Sequence, residues 1–518
     1  LNQRKALDEG SNQLNISIIG ITTILLNGAE GITYYVFAMD NARRFTTMPG
    51  PRPLPLLGNS WRFAMGLKPW RTRALDLTLW SLRALAGTGG AAKVAKLFGH
   101  PDLVFPFCAE ETARIYRRED SMPHRAVAPC LKHYKQELRK EFFGEEPGLI
   151  GVHGMPWSKF RSKVSRALAA PDAARATVPL LDEVAADFVH KLNINRVPSP
   201  DLEYNFIQHS INFLPAVGAW ALGTRLGCLN NDAEGREIIK NIHGFFHSVP
   251  ELELSAPLWR FYSTSAYKTY IDALDSFRSL CLKRLTDKGI CANIEKAHGK
   301  KVATILALDL LLVGVDTTAA AAASTIYLLA TNTRAQRKLQ HELDNNLPTD
   351  RVLNSKDLDQ LPYLRACIKE ALRIKPVILG NGRCLQSDAE ICGYRVPKGS
   401  HVVFPHYILS NEERYFPSPE QYVPERWLRE SDLGNKQSDE QKYDIYSQIG
   451  IHPFASLPFG FGRRMCVGKR FAEAELTLLL AKTFHKYDVS WRHGELTYSV
   501  TPTYIPNEPL QFTMDLRK

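Results

Sequence analysis

The stretch Phe459-Gly-Phe-Gly462-Arg-Arg464-Met-Cys466-Val-Gly468 places one cysteine in a glycine-rich loop, two residues after an arginine. A thiolate so placed can bind haem iron and push electron density onto it, which favours cleavage of an O–O bond. The sulfur needs backbone N–H groups close by, and the chain must pass near a flat macrocycle, which glycine permits. Phe459 can shield the sulfur from water, and Arg464 can reach a haem propionate. The plain alternative is a buried structural cysteine beside a basic loop, since free cysteine is often simply core.

Three further groupings carry chemistry. Leu310-Leu-Leu-Val313-Gly314-Val-Asp316-Thr317-Thr318 runs into five alanines, 319–323. Gly314 and the alanines leave room for a flat ligand against a helix, and Asp316 with Thr317 forms an acid–alcohol pair able to deliver protons. A small-residue helix-packing face is the structural alternative. Glu370-Ala-Leu-Arg373 and Trp157-Ser-Lys-Phe-Arg161 put their outer residues on one helical face at i, i+3 and i, i+4. Alone, these read as an ordinary surface ion pair and an aromatic anchor.

Taken together, the order F-x-x-G-x-R-x-C-x-G, Gly314-Val-Asp-Thr-Thr318, Glu370-x-x-Arg373 with Pro424-Glu425-Arg426-Trp427, and Trp157-x-x-x-Arg161 resembles the cytochromes P450. The resemblance runs from about Met48 to the end. It implies a mainly α fold with small β-sheets and haem b between the long oxygen-binding helix and the cysteine-loop helix. It implies Cys466 as axial iron ligand and Asp316 and Thr317 as proton relay. Trp157, Arg161, Gly314, Arg383, Phe459 and Arg464 would then contact the cofactor, with His124-Arg125 near the same edge. Glu370, Arg373 and Arg426 would form a structural network fixing the cysteine loop. Val313 stands where a smaller residue is usual, and His452 reads as a satisfied loop histidine.

Gly314-Val-Asp-Thr-Thr318 and His452-Pro-Phe-Ala-Ser-Leu-Pro-Phe-Gly-Phe-Gly-Arg-Arg-Met-Cys466 resemble the mitochondrial, ferredoxin-dependent branch, most like its insect or other arthropod members. That branch implies an acidic, adrenodoxin-like ferredoxin as donor, docking on Arg365, Lys369, Lys469 and Arg470. It implies dioxygen and a lipophilic, steroid-like or xenobiotic substrate, with peripheral attachment to the matrix side of the inner mitochondrial membrane. An endoplasmic-reticulum location is the alternative. A haem-thiolate isomerase or dehydratase needs no acid–alcohol relay, and a non-catalytic haem sensor would show no ferredoxin-dependent turnover.

Elements to position these groups are legible in the apolar periodicity. Helices are expected over Pro179–Leu192, Tyr267–Leu285, Val302–Leu329, Thr333–Asn345 and Phe471–Tyr487. Strands are expected in two stretches only, Lys93 to Phe107 broken at Gly99-His100-Pro101, and Val377 to Phe404 with Gly393–Gly399 as a hairpin-like turn. Asn205–Gly227 keeps a Thr-Arg-Leu-Gly ending without the helix that usually precedes it.

The chain has 518 residues, 44% hydrophobic and 23% charged, enough for a large core. No linker or repeat divides it after Met48, so one haem domain over 48–518 is expected, preceded by an N-terminal targeting or membrane-associated segment, 1–47. Within that segment Leu14–Leu26 is apolar but too short to span ~30 Å of hydrocarbon. The net charge of +11 is spread among acids with no aromatic-interleaved basic stripe, which argues for an acidic protein partner or residence in a basic compartment and against nucleic acid. Nine cysteines without a CxxC pair suggest no zinc or iron–sulfur framework and a reduced compartment.

Overall fold

The computed structural model describes residues 45–51, 53, 59, 74–87, 90–94, 100–125, 127–194, 204–205, 215–226, 232–254, 257–286, 290–348, 351–429, 450–507 and 510–517. The apolar run Leu14–Leu26, most of the proline-rich lead-in after Met48 and, within 205–227, residues 206–214 and 227 lie outside these.

In chain order the helices that frame the site are α1 (Ala74–Ala86), α2 (Ala109–Arg117), α3 (Pro129–His133), α4 (Gly154–Ala169), α5 (Pro171–Ile194), α6 (Pro215–Leu222), α7 (Ala233–Val249), α8 (Ser265–Arg284), α9 (Ile290–His298), α10 (Lys300–Thr331), α11 (Thr333–Asn346), α12 (Pro362–Ile374) and α13 (Lys469–Lys486). The expected helices are present. The one expected from Pro179 begins earlier, at Pro171, with Pro179 inside it. Leu181, Val184, Ala185 and Phe188 are buried in the core, and that burial outweighs the proline's local cost.

The spine is α10, 32 residues and so about 48 Å long. It is apolar on every side, and its most apolar window is 72% buried inside the protein. A helix without a polar face belongs in the middle of a core. α6, α9, α12 and α13 pack around it, while α7 lies along α8 and α5 along α13.

The short strands are β1 (Ala91–Val94), β2 (Leu103–Pro106), β3 (Tyr204–Asn205), β4 (Asn381–Cys384), β5 (Ala389–Ile391), β6 (Tyr394–Val396), β7 (His401–Phe404), β8 (Tyr487–Ser490), β9 (Tyr498–Thr501), β10 (Thr503–Pro506) and β11 (Gln511–Leu516). The two expected strand stretches join in one sheet, order β1-β2-β7-β4, where Leu103 sits opposite His401 in parallel pairing. The expected turn at Gly393–Gly399 is corrected in detail. The hairpin turns at Cys392-Gly393, with φ of 49° and 77°, and residues 394–396 form strand β6 paired with β5. Two successive positive φ values suit a two-residue hairpin whose twist matches the strands.

Strands are not confined to two stretches. β9 pairs with β10, and β11 pairs with both β8 and the distant β3. These strands are four residues or fewer apart from β11, so alternation has too few positions to register. A helix also precedes Thr224-Arg225-Leu226, contrary to expectation: α6 starts at Pro215, ends at Leu222 and is followed by Gly223, whose φ is 73°. Proline at a helix start and a left-handed glycine after its end are ordinary stop signals. Trp220 of α6 stacks on Phe471 of α13 with ring centroids 4.1 Å apart.

Candidate active site

The cysteine loop is shaped by two glycines in left-handed conformation, Gly460 (φ 70°) and Gly462 (φ 73°). A side chain at Gly462 would run into the Glu119 carboxylate. The loop closes on itself: Gly460 N donates to Leu457 O at 2.9 Å, Met465 N to Gly462 O at 3.1 Å and Cys466 N to Phe459 O at 2.9 Å. Cys466 keeps exposed surface, although neighbouring atoms crowd the thiol enough to raise its pKa. The Gly468 N–H, Arg161 and Arg125 pull it back toward the thiolate. Backbone donors near a ligating sulfur tune how strongly it donates.

Four guanidinium groups converge on this loop. Arg464 donates from Nε to Pro123 O (2.9 Å) and from Nη1 to Val152 O (3.0 Å). Its guanidinium lies 3.5 Å from the centre of the buried Trp157 ring. Arg125 donates to Arg464 O at 2.9 Å, Arg161 to Met465 O at 3.0 Å, and Arg383 to Phe461 O at 3.3 Å and to Glu119. Burial, then Arg125, Arg383 and Arg161, push Arg464 down to about 9. Burial and then Arg383 push Arg125 down to about 10. Glu119 stands among them and also accepts from Arg463 N at 3.3 Å. The Nε of Arg125 is buried with no hydrogen-bond partner among the described residues. So much desolvated positive charge with a donor left over fits a ligand carrying carboxylates on one edge, as haem does.

The four arginines and Trp157 are thus brought together. Glu119 and His153 were not foreseen. The His153 ring lies 4.4 Å from that of His124, and burial, His124 and Arg464 push it down to about 3, leaving it neutral. The Arg383–Glu119 contact joins residues 264 apart in sequence, so no local spacing announces it. His452 is the satisfied loop histidine expected, its Nδ1 accepting from Phe454 N at 3.2 Å.

On α10, Val313, Gly314, Asp316 and Thr317 keep accessible surface within a buried stretch, and i, i+1, i+3, i+4 is one helical face. The Thr317 hydroxyl donates to Val313 O at 2.8 Å. Asp316 Oδ1 lies 3.2 Å from Nε2 of His243 on α7. Gly314 has a packing role beyond the one expected: a Cβ there would stand 3.1 Å from Val217 Cγ1 of α6. The absent side chain therefore admits α6. Across the α10–α13 contact, Glu475 is fully buried, and neither carboxyl oxygen has a hydrogen-bond partner among the described residues. Burial pushes it up to about 8; the Thr318 hydroxyl stands near enough to offset part of that rise but donates to Gly314 O at 3.1 Å.

Glu370, Arg373 and Arg426 form a buried network. Arg373 pairs with Glu370 at 2.8 Å and Arg426 Nε with Glu370 at 3.2 Å. Trp427 Nε1 (2.8 Å) and Val423 N (3.1 Å) also donate to Glu370. Arg373 donates on to Ser410 O, Pro419 O and Gln421 O. These contacts tie α12 to residues 410–427.

Beside the cysteine loop, Glu473 is raised by burial and lowered by Lys469, Lys369 and Arg470, which gathers these cations round one acid. Lys369 is in turn lowered by burial and by Arg365, Lys469 and Arg429. The four residues expected as a docking patch therefore lie together, with Arg429 as an unforeseen fifth. One Arg365 nitrogen already donates to Leu358 O at 2.8 Å.

A family model described as Cytochrome P450 matches residues 132–514. The chain is 44% identical to "Probable cytochrome P450 49a1" of Drosophila melanogaster, covering 99% of this chain and 91% of that protein. It is 36% identical to "Probable cytochrome P450 301a1, mitochondrial" of the same fly, covering 92% and 87%. Among solved structures its fold is similar to that of the heme domain of a cytochrome P450DA mutant, with TM-score 0.69 at 18% identity, over 91% of this chain and 97% of that one. A cysteine loop ringed by arginines, a long core helix and a family match over most of the sequence lead to one conclusion: the chain belongs to the cytochromes P450, thiolate-ligated haem monooxygenases.

Proposed function

We propose that this monooxygenase hydroxylates a lipophilic, steroid-like or xenobiotic substrate, taking electrons one at a time from an acidic, adrenodoxin-like ferredoxin at the matrix face of the inner mitochondrial membrane. The observation that carries this reading is the cluster of Lys369, Lys469 and Arg470 around Glu473, with Arg365 beside Lys369, at the start of the helix that follows the Cys466 loop. Complementary charge at such a face speeds encounter and fixes register with an acidic partner. Relatives at 36% and 32% identity carry "mitochondrial" in their names, which supports the location.

Haem b, when bound, supplies the iron at which dioxygen is reduced and the oxidising power for the C–H bond. Cys466 Sγ would hold it from the loop side, with the Gly468 N–H moderating the sulfur's charge. Arg125, Arg161, Arg383 and Arg464 would take its carboxylates, Trp157 would hold Arg464 flat, and Phe459 would cover the sulfur. Asp316 and Thr317 would deliver protons, Thr317 accepting through its lone pairs because its own O–H is spent on Val313 O. Their presence supports monooxygenation over isomerase or dehydratase chemistry.

Reconstitution decides the donor. With a mitochondrial ferredoxin and its reductase, the haem-loaded protein should be reduced at least tenfold faster than with the flavoprotein reductase of the endoplasmic reticulum. Equal or reversed rates would place it with the other electron chain.

A further inference from the structure

The proton relay poses a question that Asp316 and Thr317 do not answer between them. The Thr317 hydroxyl donates along its own helix to Val313 O at 2.8 Å, so it can pass a proton on only after accepting one. An ionised Asp316 has no proton to give, and after each transfer it must be recharged. The group that meets its carboxylate is His243, whose Nε2 stands 3.2 Å from Oδ1. His243 belongs to α7, whose buried face, Ile238, Ile239, Ile242, Phe245 and Phe246, is used in packing. The His243 side chain keeps 35% of its surface accessible against 16% for Asp316. The order of accessibility therefore runs from His243 to Asp316, and imidazole exchanges protons with water near neutral pH.

We propose that His243 is a positioning residue for Asp316 and its proton source: it fixes Oδ1 on the α7 side of α10 and recharges the carboxyl. The step is a simple transfer. A proton leaves the imidazolium Nε2 for Asp316 Oδ1, and the neutral ring recovers its proton from water. No bond other than N–H and O–H changes, and no oxidant or reductant is consumed. The inference rests on Asp316 as the acid of the reaction, and it makes α7 part of the proton path.

Two measurements on the haem-loaded protein test it. The first follows hydrogen–deuterium exchange at C2–H of His243 against pH by mass spectrometry, which reports the ring's own titration without turnover. A close carboxylate favours the imidazolium, so Asp316→Asn should move the midpoint down by about one pH unit. An unmoved midpoint overturns the pairing. The second is the rate at which the chemically reduced protein consumes dioxygen, in H2O and in D2O, which needs no organic substrate. His243→Gln should slow it roughly fivefold, a modest share of what general acid catalysis can contribute, and should deepen the slowing in D2O. If His243 acts through Asp316, the double variant with Asp316→Asn should be no slower than Asp316→Asn alone. A slow Asp316→Asn beside a wild-type His243→Gln overturns the role of His243 and leaves the acid in place. Wild-type rates in both overturn the reading of Asp316 itself, and His243's role with it.

Discussion

At the scale of single residues, Glu475 has no ion-pair partner among the described residues and is fully buried, its two oxygens unpartnered. Its carboxyl is pushed up to about 8 from an ordinary value near 4.5, so the folded protein keeps it protonated where the unfolded chain would ionise. The stability it allows is intact below pH 4.5 and is lost progressively as pH rises to about 8. Glu475→Gln keeps the shape and removes the titration. The variant should therefore gain on wild type as pH rises from 5 to 8, by roughly 2–4 kcal/mol at the upper end. Thermal unfolding of both proteins across that range checks it, and parallel curves would show that Glu475 does not titrate there. Glu475 could have been found in the sequence, since it lies four residues after Phe471 and four before Leu479, on the apolar stripe of α13. Glu119 and His243 could not. Their partners, Arg383 and Asp316, lie 264 and 73 positions away, and only the folded chain chooses them.

At the scale of elements, the network of Glu370, Arg373 and Arg426 joins α12 to residues 410–427 with every charge buried and hydrogen-bonded. Removing one member leaves the others charged in an apolar setting, which costs about 3–5 kcal/mol. Glu370→Ala should lower the urea midpoint accordingly. Lys240→Ala, whose exposed ion pair is with Glu237, should move it by under about 1 kcal/mol. Equal effects from the two variants would remove any special standing of the network. Local spacing made the Glu370–Arg373 pair legible, and the apolar run made α10 legible. The sheet of β3, β11 and β8 was not, because its strands are short and its pairing joins residues near 204 to residues near 512. The helix α6 was overlooked because a seven-residue apolar run after a proline carries no period of its own. Only its docking on Gly314 and Phe471 decides it.

At the scale of the whole molecule, a net charge of +11 acquires direction once Arg365, Lys369, Arg429, Lys469 and Arg470 gather on the side of the cysteine loop. Reduction by an acidic ferredoxin should slow with added salt, since exposed charges are screened beyond about 8 Å at physiological ionic strength. Lys369→Glu with Arg470→Glu should lower the second-order reduction rate roughly tenfold at low salt and flatten its salt dependence. A rate untouched by the double reversal would move the docking site elsewhere. All of this depends on Cys466 holding haem iron as a thiolate. The most direct test is the absorption spectrum of the reduced, carbon-monoxide-bound protein beside that of Cys466→Ala. A strongly red-shifted Soret band in the wild type, absent from the variant, is the predicted result. The same band in both proteins, or a wild-type band at the position of histidine-ligated haem, would contradict the assignment of Cys466.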